Sequence, residues 1–379
     1  MRYWNTKCPM RCMVWLLEGK IYSSKLDFLS KEKGELTMKR QLWMILVAAG
    51  VLFGCCKAST ENVPRAAAPP APATAEEVAS YEVTDANAPV VYFTKDISPE
   101  GLVRAYQALG WKPKGKVGVK ISTGESEKTN HLRPALIKDL VQMINGTIVE
   151  CNTAYGGNRA TVAMHHQVVK DRGYLDIAPF DLLDEEGYTT LPVNGKVLKE
   201  DYVGSHFGNY DSYLVLSHFK GHQMAGFGGA LKNLSIGFGS GTSAGRSGKA
   251  IIHSGGKSAT KPWGGEQIPF LEAMGESAVA VCQAMDDGRA IAFINVMNRL
   301  SVDCDCNGNP AEPDMHDIGI LASLDPLALD QACIDKVWQA PDSASLKARV
   351  DRQQGRHILD YTDTLGVYHR RYRLVNLDK

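Results

Sequence analysis

The residue types best suited to chemistry lie in one segment, Ser217 to Asn233. Its two histidines, His218 and His222, are four positions apart, so on a helical turn they would share a face and could bind a metal ion or move a proton. Three glycines follow that let backbone N–H groups approach an anion: Gly226, Gly228 and Gly229. Lys232 then supplies a positive charge or an amine nucleophile. We predict that His218, His222 and Lys232 are catalytic. The alternative is a packed glycine-rich turn whose histidines are only hydrogen-bonded.

A second candidate is the tetrapeptide Asp303–Cys306. In an extended chain alternate side chains share a face, so Cys304 and Cys306 would point the same way. Paired thiolates suit a soft metal or an iron–sulfur cluster, and His316 and Asp317 lie near enough along the chain to complete a metal site. The alternatives are idle thiols or a disulfide to one of three other cysteines, Cys151, Cys282 or Cys333.

Polar side chains follow two of the predicted strands and could contact a ligand. Lys120 and Glu125 come after one strand, and Asn152, Tyr155 and Arg159 come after the next. The glycine-rich segment adds three more residues to this predicted ligand-binding set: Gly228, Gly229 and Asn233.

Two other patterns are given no role. The glycines of Gly237–Lys249 suggest a phosphate loop, but Ala250 stands where such a loop has Ser or Thr, so a nucleoside triphosphatase is excluded. His165 and His166 lie in a predicted helix and are interpreted as a surface pair.

These residues need a scaffold, and from Val90 onward strand and helix patterns alternate. Apolar and β-branched runs predict strands at 90–93, 117–121, 147–150, 213–216 and 290–297. Helical spacing predicts helices at 98–110, 134–144 and 161–171. Helices between strands imply crossover connections, so we predict an α/β fold with a mostly parallel sheet and flanking helices, as one large domain or two lobes. The candidate residues should converge beyond the carboxyl ends of the strands.

Composition limits the class of protein. The 379 residues are 44% apolar and 22% charged, as in ordinary globular proteins. Basic and acidic residues both total 42, so the net charge is zero and no global field attracts nucleic acid. Nine cysteines are too few for a disulfide scaffold of this length.

Five pieces of the chain, taken in order, resemble a known family. They are Val119–Glu125, Cys151–Arg159, Lys220–Asn233, Asp303–Cys306 and Asp317–Asp330. Together they resemble the domain-of-unknown-function 362 family, whose members are often labelled uncharacterised iron–sulfur centre proteins. The resemblance implies an α/β domain with a metal or iron–sulfur centre on Cys304 and Cys306. Many relatives also carry ferredoxin-like Cys-x-x-Cys runs, whereas residues 254–269 of this chain contain no cysteine.

A shorter resemblance concerns the glycine-rich segment alone. In nickel-dependent lactate racemase a histidine, a glycine-rich turn and a cofactor-bearing lysine are arranged much like His222, Gly226–Gly229 and Lys232. This resemblance implies proton transfer on a small carboxylate.

The N-terminal residues predict a targeting segment and a linker, not part of the folded core. Residues 1–37 show no sustained period and are predicted to be an extension that precedes the true start at Met38. Residues 38–55 resemble a signal peptide with a lipobox-like end, which predicts lipidation at Cys55. Residues 56–89 are an Ala/Pro-rich tether, and 90–379 form the folded domain. The predicted location is the cell envelope, on a lipid anchor; a cleaved signal without lipid, or an uncleaved anchor, is the alternative.

Three functions remain open at this point. The first is an envelope-tethered metal or iron–sulfur protein in which Lys232 neutralises a small anionic molecule and a histidine moves a proton, with the membrane and an electron-transfer partner as further partners. The second is a racemase- or isomerase-like enzyme that acts on a small hydroxy acid. The third is a non-catalytic binding module. The first requires Lys232 and Cys306 to share one cleft.

Overall fold

The structure is a computed structural model that describes residues 80–378. The predicted extension, the signal peptide, Cys55 and the tether up to residue 79 lie outside the described residues. Within residues 80–378 no helix has both the length and the apolar composition that crossing a bilayer requires.

Strands of the described domain fall into one large sheet and two small pairs. Their bounds are β1 Val90–Thr94, β2 Val117–Lys120, β3 Gly146–Glu150, β4 Phe180–Leu182, β5 Tyr188–Pro192, β6 Glu200–Gly204, β7 Ser212–His218, β8 Lys220–His222, β9 Gly226–Gly228, β10 Ile291–Met297, β11 Gly319–Ser323 and β12 Arg373–Asn376.

The large sheet has eight strands in the order β12-β1-β11-β10-β7-β2-β3-β4. From β10 to β4 every neighbouring pair is parallel, whereas β11 is antiparallel to both of its neighbours. β5 pairs with β6, and β8 with β9, as antiparallel hairpins. The predicted α/β fold with a mostly parallel sheet is therefore confirmed.

Helices follow or connect most of these strands. Their bounds are α1 Pro99–Ala108, α2 Pro134–Met143, α3 Val162–Asp171, α4 Ala230–Lys232, α5 Gly248–His253, α6 Gln267–Ala284, α7 Pro326–Gln339, α8 Ala344–Arg352 and α9 His357–Thr364. The short α4 continues as a π-helical turn, Asn233–Gly237. Local sequence explains where α1 starts. Ser98 Oγ accepts from the Gly101 N–H at 3.0 Å, and Pro99 occupies the first turn of the helix.

Apolar side chains cover both faces of the large sheet. Residues of β7 alternate between the two cores: Tyr213 and Val215 belong to one, Leu214 and Leu216 to the other, and all four are fully buried. This period of two is what a strand buried on both faces requires. The rigid centre of the sheet thus fixes where β7 and its neighbours end.

Two expectations about domain limits need correction. The described residues belong to a single compact unit, so the two-lobed alternative is wrong. The tether was expected to run to residue 89, but the Tyr81 N–H donates to Asp335 Oδ2 at 3.0 Å and the Val83 N–H donates to the Tyr372 carbonyl at 2.8 Å. These bonds attach the chain to the domain from its first described residues.

Candidate functional site

The candidate residues converge on one cavity of about 100 Å³ at the carboxyl ends of the parallel strands. β2 ends at Lys120, β3 at Glu150 and β7 at His218, and all three side chains line the cavity. Lys232 and Cys306 lie in the same lining, as the first hypothesis requires. The other predicted residues in the lining are Tyr155, Arg159, His222, Gly228, Gly229, Asn233 and Cys304.

Cys304 and Cys306 lie in a turn, not in the extended segment that we predicted. The Cys306 backbone N–H donates to Cys304 Sγ at 3.4 Å, and both residues line the cavity. The side chain of the intervening Asp305 points inward, toward His218 and Lys220. Every cysteine between residues 80 and 378 is free, so the disulfide alternatives are wrong.

The two thiols of this turn differ in acidity. A hydrogen bond from the Cys306 thiol, assisted by the nearby Lys232 and Lys220 ammonium groups, holds the pKa of Cys304 well below its usual value. The same hydrogen bond, together with burial, raises the pKa of Cys306. The pair therefore loses its first proton more readily than an isolated buried thiol would. A thiolate is the form of cysteine that binds metals and attacks electrophiles.

His222 completes a group that could hold a metal ion. One candidate ligand atom each from His222, Cys304 and Cys306 lies within 4.8 Å of the others. His222 Nδ1, however, accepts the backbone N–H groups of Met224 and Ala225 at 3.2 and 2.9 Å. Burial lowers the pKa of His222, so its ring is neutral and the single proton must lie on Nε2.

This protonation decides which atoms fit a metal. His222 Nε2 is 3.7 Å from Cys306 Sγ and faces it with an N–H, not with a lone pair. A metal-bound histidine normally shows the reverse, because its remote nitrogen donates to an acceptor. The two thiols are therefore the donors that fit a soft metal ion, and His222 is a proton donor beside them.

Asp305 fixes the thiol turn from behind. Its Oδ2 is 2.9 Å from His218 Nδ1 and 3.1 Å from Lys220 Nζ, and all three side chains are buried. Burial alone would lower the pKa of Lys220, but Asp305 outweighs it and raises that pKa. His218 Nε2 donates to the Asn298 carbonyl at 2.7 Å.

The two candidate histidines are thus placed differently. His218 ends β7 and His222 ends β8, so the expected shared face of a helical turn is wrong. Both ring nitrogens of His218 are occupied within the protein, Nδ1 by Asp305 and Nε2 by the Asn298 carbonyl. This leaves His222 as the histidine with an N–H directed at the thiol pair.

Four lysines line the cavity; Lys220 is paired with Asp305, and the other three are Lys120, Lys232 and Lys249. Among the residues described, none of these three forms an ion pair with a carboxylate. Lys232 lies near the Cys304 thiolate, while Lys249 Nζ donates to the Gly239 carbonyl. Burial lowers the pKa of Lys120 to about 8 and also lowers that of Lys249. Because unpaired buried cations are costly, the cavity favours an anionic occupant.

The glycine-rich turn binds an internal carboxylate. Asp330 of α7 accepts the backbone N–H groups of Ala230 and Leu231 at 2.7 and 2.9 Å. A Cβ on Gly229 would lie 2.3 Å from Asp330 Oδ1, so only glycine permits this approach. The Ala230 and Leu231 amides are therefore occupied within the protein, and this contact fixes the start of α4, which carries Lys232.

Arg159 and Tyr155 form one wall with two buried carboxylates. Arg159 Nη1 is 2.9 Å from Glu150 Oε1, and its Nε is 3.3 Å from Glu125 Oε2. The Tyr155 hydroxyl donates to the same Glu125 oxygen at 3.2 Å. Glu125 was a predicted ligand contact, but it is absent from the cavity lining and supports the wall instead.

Asn152 and His165 also lie behind the cavity. The Asn152 backbone and side-chain N–H groups both donate to Asp184 Oδ1, so this predicted ligand contact is occupied internally. His165 is fully buried, with Nε2 3.1 Å from Glu150 Oε2, so its interpretation as a surface residue is wrong. Only the half-exposed His166 fits that description.

Two predicted metal ligands lie outside the site. His316 is exposed, and its Nδ1 is 2.8 Å from Asp342 Oδ1. Asp317 Oδ1 accepts the Arg299 backbone N–H at 2.6 Å. Neither lines the cavity, because the loop between the thiol turn and β11 leads them away from it.

Sequence reasoning missed three charged residues of the lining: Glu150, Lys220 and Lys249. Glu150 and Lys220 flank strand ends and could have been found by reading charged residues at the boundaries of buried strands. No strand-end pattern marks Lys249, because it lies in the glycine-rich segment Gly237–Lys249.

The lowered pKa of Lys120 predicts a measurable pH dependence of stability. Burial lowers the pKa of Lys120 in the folded protein from its ordinary value of 10.5 to about 8, so the unfolded chain holds more protons between these values and stability rises with pH there. We expect the free energy of unfolding of the native protein, minus that of Lys120→Met, to rise by roughly 2 kcal/mol from pH 7 to pH 10. Chemical denaturation of both proteins across this range tests it; a flat difference would contradict the buried, uncompensated amine.

Comparison with known proteins identifies the family. Residues 117–335, more than half of the chain, match the family model described as "Domain of unknown function (DUF362)". The chain therefore belongs to this family. No curated protein matches it.

Two solved structures are similar to the chain at low identity. One is the lactate racemase apoprotein from Thermoanaerobacterium thermosaccharolyticum, at 13% identity and a TM-score of 0.40, covering 65% of this chain and 56% of that one. The other is a structural-genomics protein from Thermotoga maritima, at 12% identity and a TM-score of 0.39, covering 64% and 58%. The chain thus spans less than two-thirds of either structure.

Proposed function

We propose that this protein binds a soft metal ion on Cys304 and Cys306 and uses the site for chemistry on a small organic anion. The observation that carries the proposal is the shared cavity: the thiol pair, the His222 N–H and the lysine amines all face one enclosed space. When bound, such a metal would supply Lewis acidity or electron transfer at the thiol pair.

The donor set favours a mononuclear ion over an iron–sulfur cluster. Four-iron clusters use four cysteine thiolates. Of the cysteines in the described residues, only Cys304 and Cys306 both line the cavity and belong to the group of candidate metal ligands. Cys151 also lines the cavity, but its thiol donates to the Phe238 carbonyl at 3.2 Å and burial raises its pKa to about 12.

The remaining side chains bind and position the anion. Lys232 and Lys249 offer positive charge to a carboxylate, and the cavity volume of about 100 Å³ limits the ligand to a small molecule. The His222 Nε2–H is close enough to the thiols to donate a hydrogen bond to a group bound beside them. Arg159, fixed by two carboxylates, keeps that wall rigid.

Thermal unfolding with Zn²⁺ and lactate as probes tests the two halves of the proposal. Zn²⁺ at a hundred times its Kd should stabilise the protein by about 2.7 kcal/mol, or roughly 5 °C in Tm, and lactate should add a further rise. Lys232→Met should lose the rise due to lactate and keep that due to Zn²⁺, whereas Cys304→Ser should do the reverse. Loss of both rises in both variants would contradict separate metal and anion positions.

A racemase-like proton shuttle is the second candidate, favoured by His222 and Lys232 facing the same cavity. Turnover of a 2-hydroxy acid separates it from the first. A shuttle without a metal predicts that Lys232→Met abolishes turnover and Cys304→Ser leaves it intact, whereas the metal proposal predicts that both variants lose it.

We also propose that the domain is held in the cell envelope by lipid on Cys55. The support is sequence alone: a basic start, the apolar run of residues 42–51 and a cysteine after Gly54. An electron-transfer partner remains part of the proposal if the bound metal changes oxidation state.

A further inference from the structure

Lys120 occupies an unusual position for an amine. It is the last residue of β2, at the middle of the parallel part of the sheet, and its side chain is 1% exposed. It nevertheless lines the cavity, beside Asn233 and Gly237. A Cβ on Gly237 would lie 3.0 Å from Lys120 Nζ, so the absence of a side chain there keeps the amine uncovered.

The hydrogen bonds of Lys120 Nζ match a neutral amine. Nζ donates to the Ile121 carbonyl at 2.7 Å and to Asn233 Oδ1 at 3.1 Å. The Asn233 amide cannot be reversed, because its Nδ2 donates to the Lys120 carbonyl at 3.2 Å and to Ser217 Oγ at 3.0 Å. Two acceptors satisfy both hydrogens of an –NH₂ group and leave its lone pair unassigned.

The surroundings favour that neutral form. Burial lowers the pKa of Lys120 and, with repulsion from the cations of Lys249 and Arg159, outweighs the opposing attraction of Glu150 and Cys151. A lysine that is desolvated or lies next to another cation is the type that reacts with carbonyl compounds. The neighbouring Lys249 amine differs in its bonds, since it donates to a single carbonyl, that of Gly239.

We propose that Lys120 forms an imine with a small 2-oxo acid whose carboxylate is bound by the other cavity lysines. This inference rests on the proposed anion pocket and names its substrate class. The amine nitrogen attacks the ketone carbon, a C=N double bond replaces the C=O double bond, and the oxygen leaves as water with both amine hydrogens. A proton from solvent then gives the cationic imine, which retains one N–H for Asn233 Oδ1 or the Ile121 carbonyl.

Reductive trapping of the full chain tests this step. With pyruvate and sodium cyanoborohydride, we expect one 1-carboxyethyl group per chain, on the Lys120 peptide, from peptide mapping by mass spectrometry. Pyruvate should label this position at least tenfold faster than acetone, which has no carboxylate. The labelling rate should rise with pH to a half-maximum near pH 8, where the Lys120 amine loses its proton.

Matched variants separate this proposal from that of the metal site. Lys120→Met should lose the adduct and Cys304→Ser should keep it, while Lys249→Met, which removes a neighbouring amine, should slow it without moving it. Labelling spread over exposed lysines with none on Lys120, or equal rates for pyruvate and acetone, would overturn the imine. If Lys120→Met does not fold, the peptide map and rate ratio of the native chain still decide. Metal binding measured on the same preparation reports separately on the thiol pair.

Discussion

Replacing Cys304 or Cys306 with serine should weaken metal binding by at least about 100-fold, since each thiolate supplies a direct bond and a serine hydroxyl does not ionise at neutral pH. Both thiols lie in one turn that lines the cavity, and the pKa of Cys304 is held well below its usual value by the hydrogen bond from Cys306. Competition titration with a chromophoric chelator gives the affinities. Cys282→Ala is the matched control, because that thiol is buried in the core outside the cavity and should leave the affinity unchanged.

The same titration of His222→Gln tests whether the His222 ring coordinates the metal or only donates a hydrogen bond beside it. If His222 faces the thiols with its Nε2–H, a glutamine amide can supply a similar donor, and the affinity should fall by less than about tenfold, at the lower end of what outer-sphere substitutions cost. His316→Ala should have no effect, because that ring pairs with Asp342 outside the cavity. A loss with His222→Gln as large as that of the serine variants would show that the ring itself coordinates the metal.

The second large effect is expected on stability, from Asp305→Asn. Asp305 is buried between His218 and Lys220, and its loss of charge leaves the buried Lys220 ammonium without its carboxylate partner. Removing one member of a buried ion pair costs about 3–5 kcal/mol. We expect the free energy of unfolding to fall by about this amount. Chemical denaturation measures it, and the exposed Asp286→Asn should leave the unfolding midpoint unchanged.

Two further measurements test whether the loss of stability in Asp305→Asn comes from the missing charge. Asp305→Asn combined with Lys220→Met should recover part of the stability, because one orphaned cation is removed along with the carboxylate. Burial would raise the pKa of Asp305, but His218 and Lys220 lower it far below the ordinary value of 3.8. The stabilisation of the folded protein by the Asp305 carboxylate is therefore present above pH 4 and is lost as pH falls further. A native protein no more sensitive to acid than the variant would contradict the ion pair.

The sequence predicted the fold well because the fold depends on local patterns. The buried strand of residues 213–216 and the helix begun by Ser98 and Pro99 appear where apolar runs and capping residues place them. Parallel strands ending together then made it possible to expect Lys120, His222 and Lys232 at one edge.

The details of the site were predicted less well, because they depend on contacts between distant segments. Nothing local shows that Asp305 points inward toward β7, or that its segment is a turn. Nor does spacing show that Asp330, on a helix far along the chain, occupies the amides of the glycine-rich turn. His316 and Asp317 were chosen for sequence proximity, and the intervening loop leads them elsewhere.

The protein is isolated without oxygen and equilibrated with one equivalent of Zn²⁺. Elemental analysis and thiol counting on this sample then test whether the turn of Cys304 and Cys306 binds a metal ion. A soft ion held by the turn should give one metal per chain and two thiols protected from a sulfhydryl reagent, with both lost together when Cys304 and Cys306 are replaced by serine. Protein that stays metal-free while every cysteine reacts as before would contradict it.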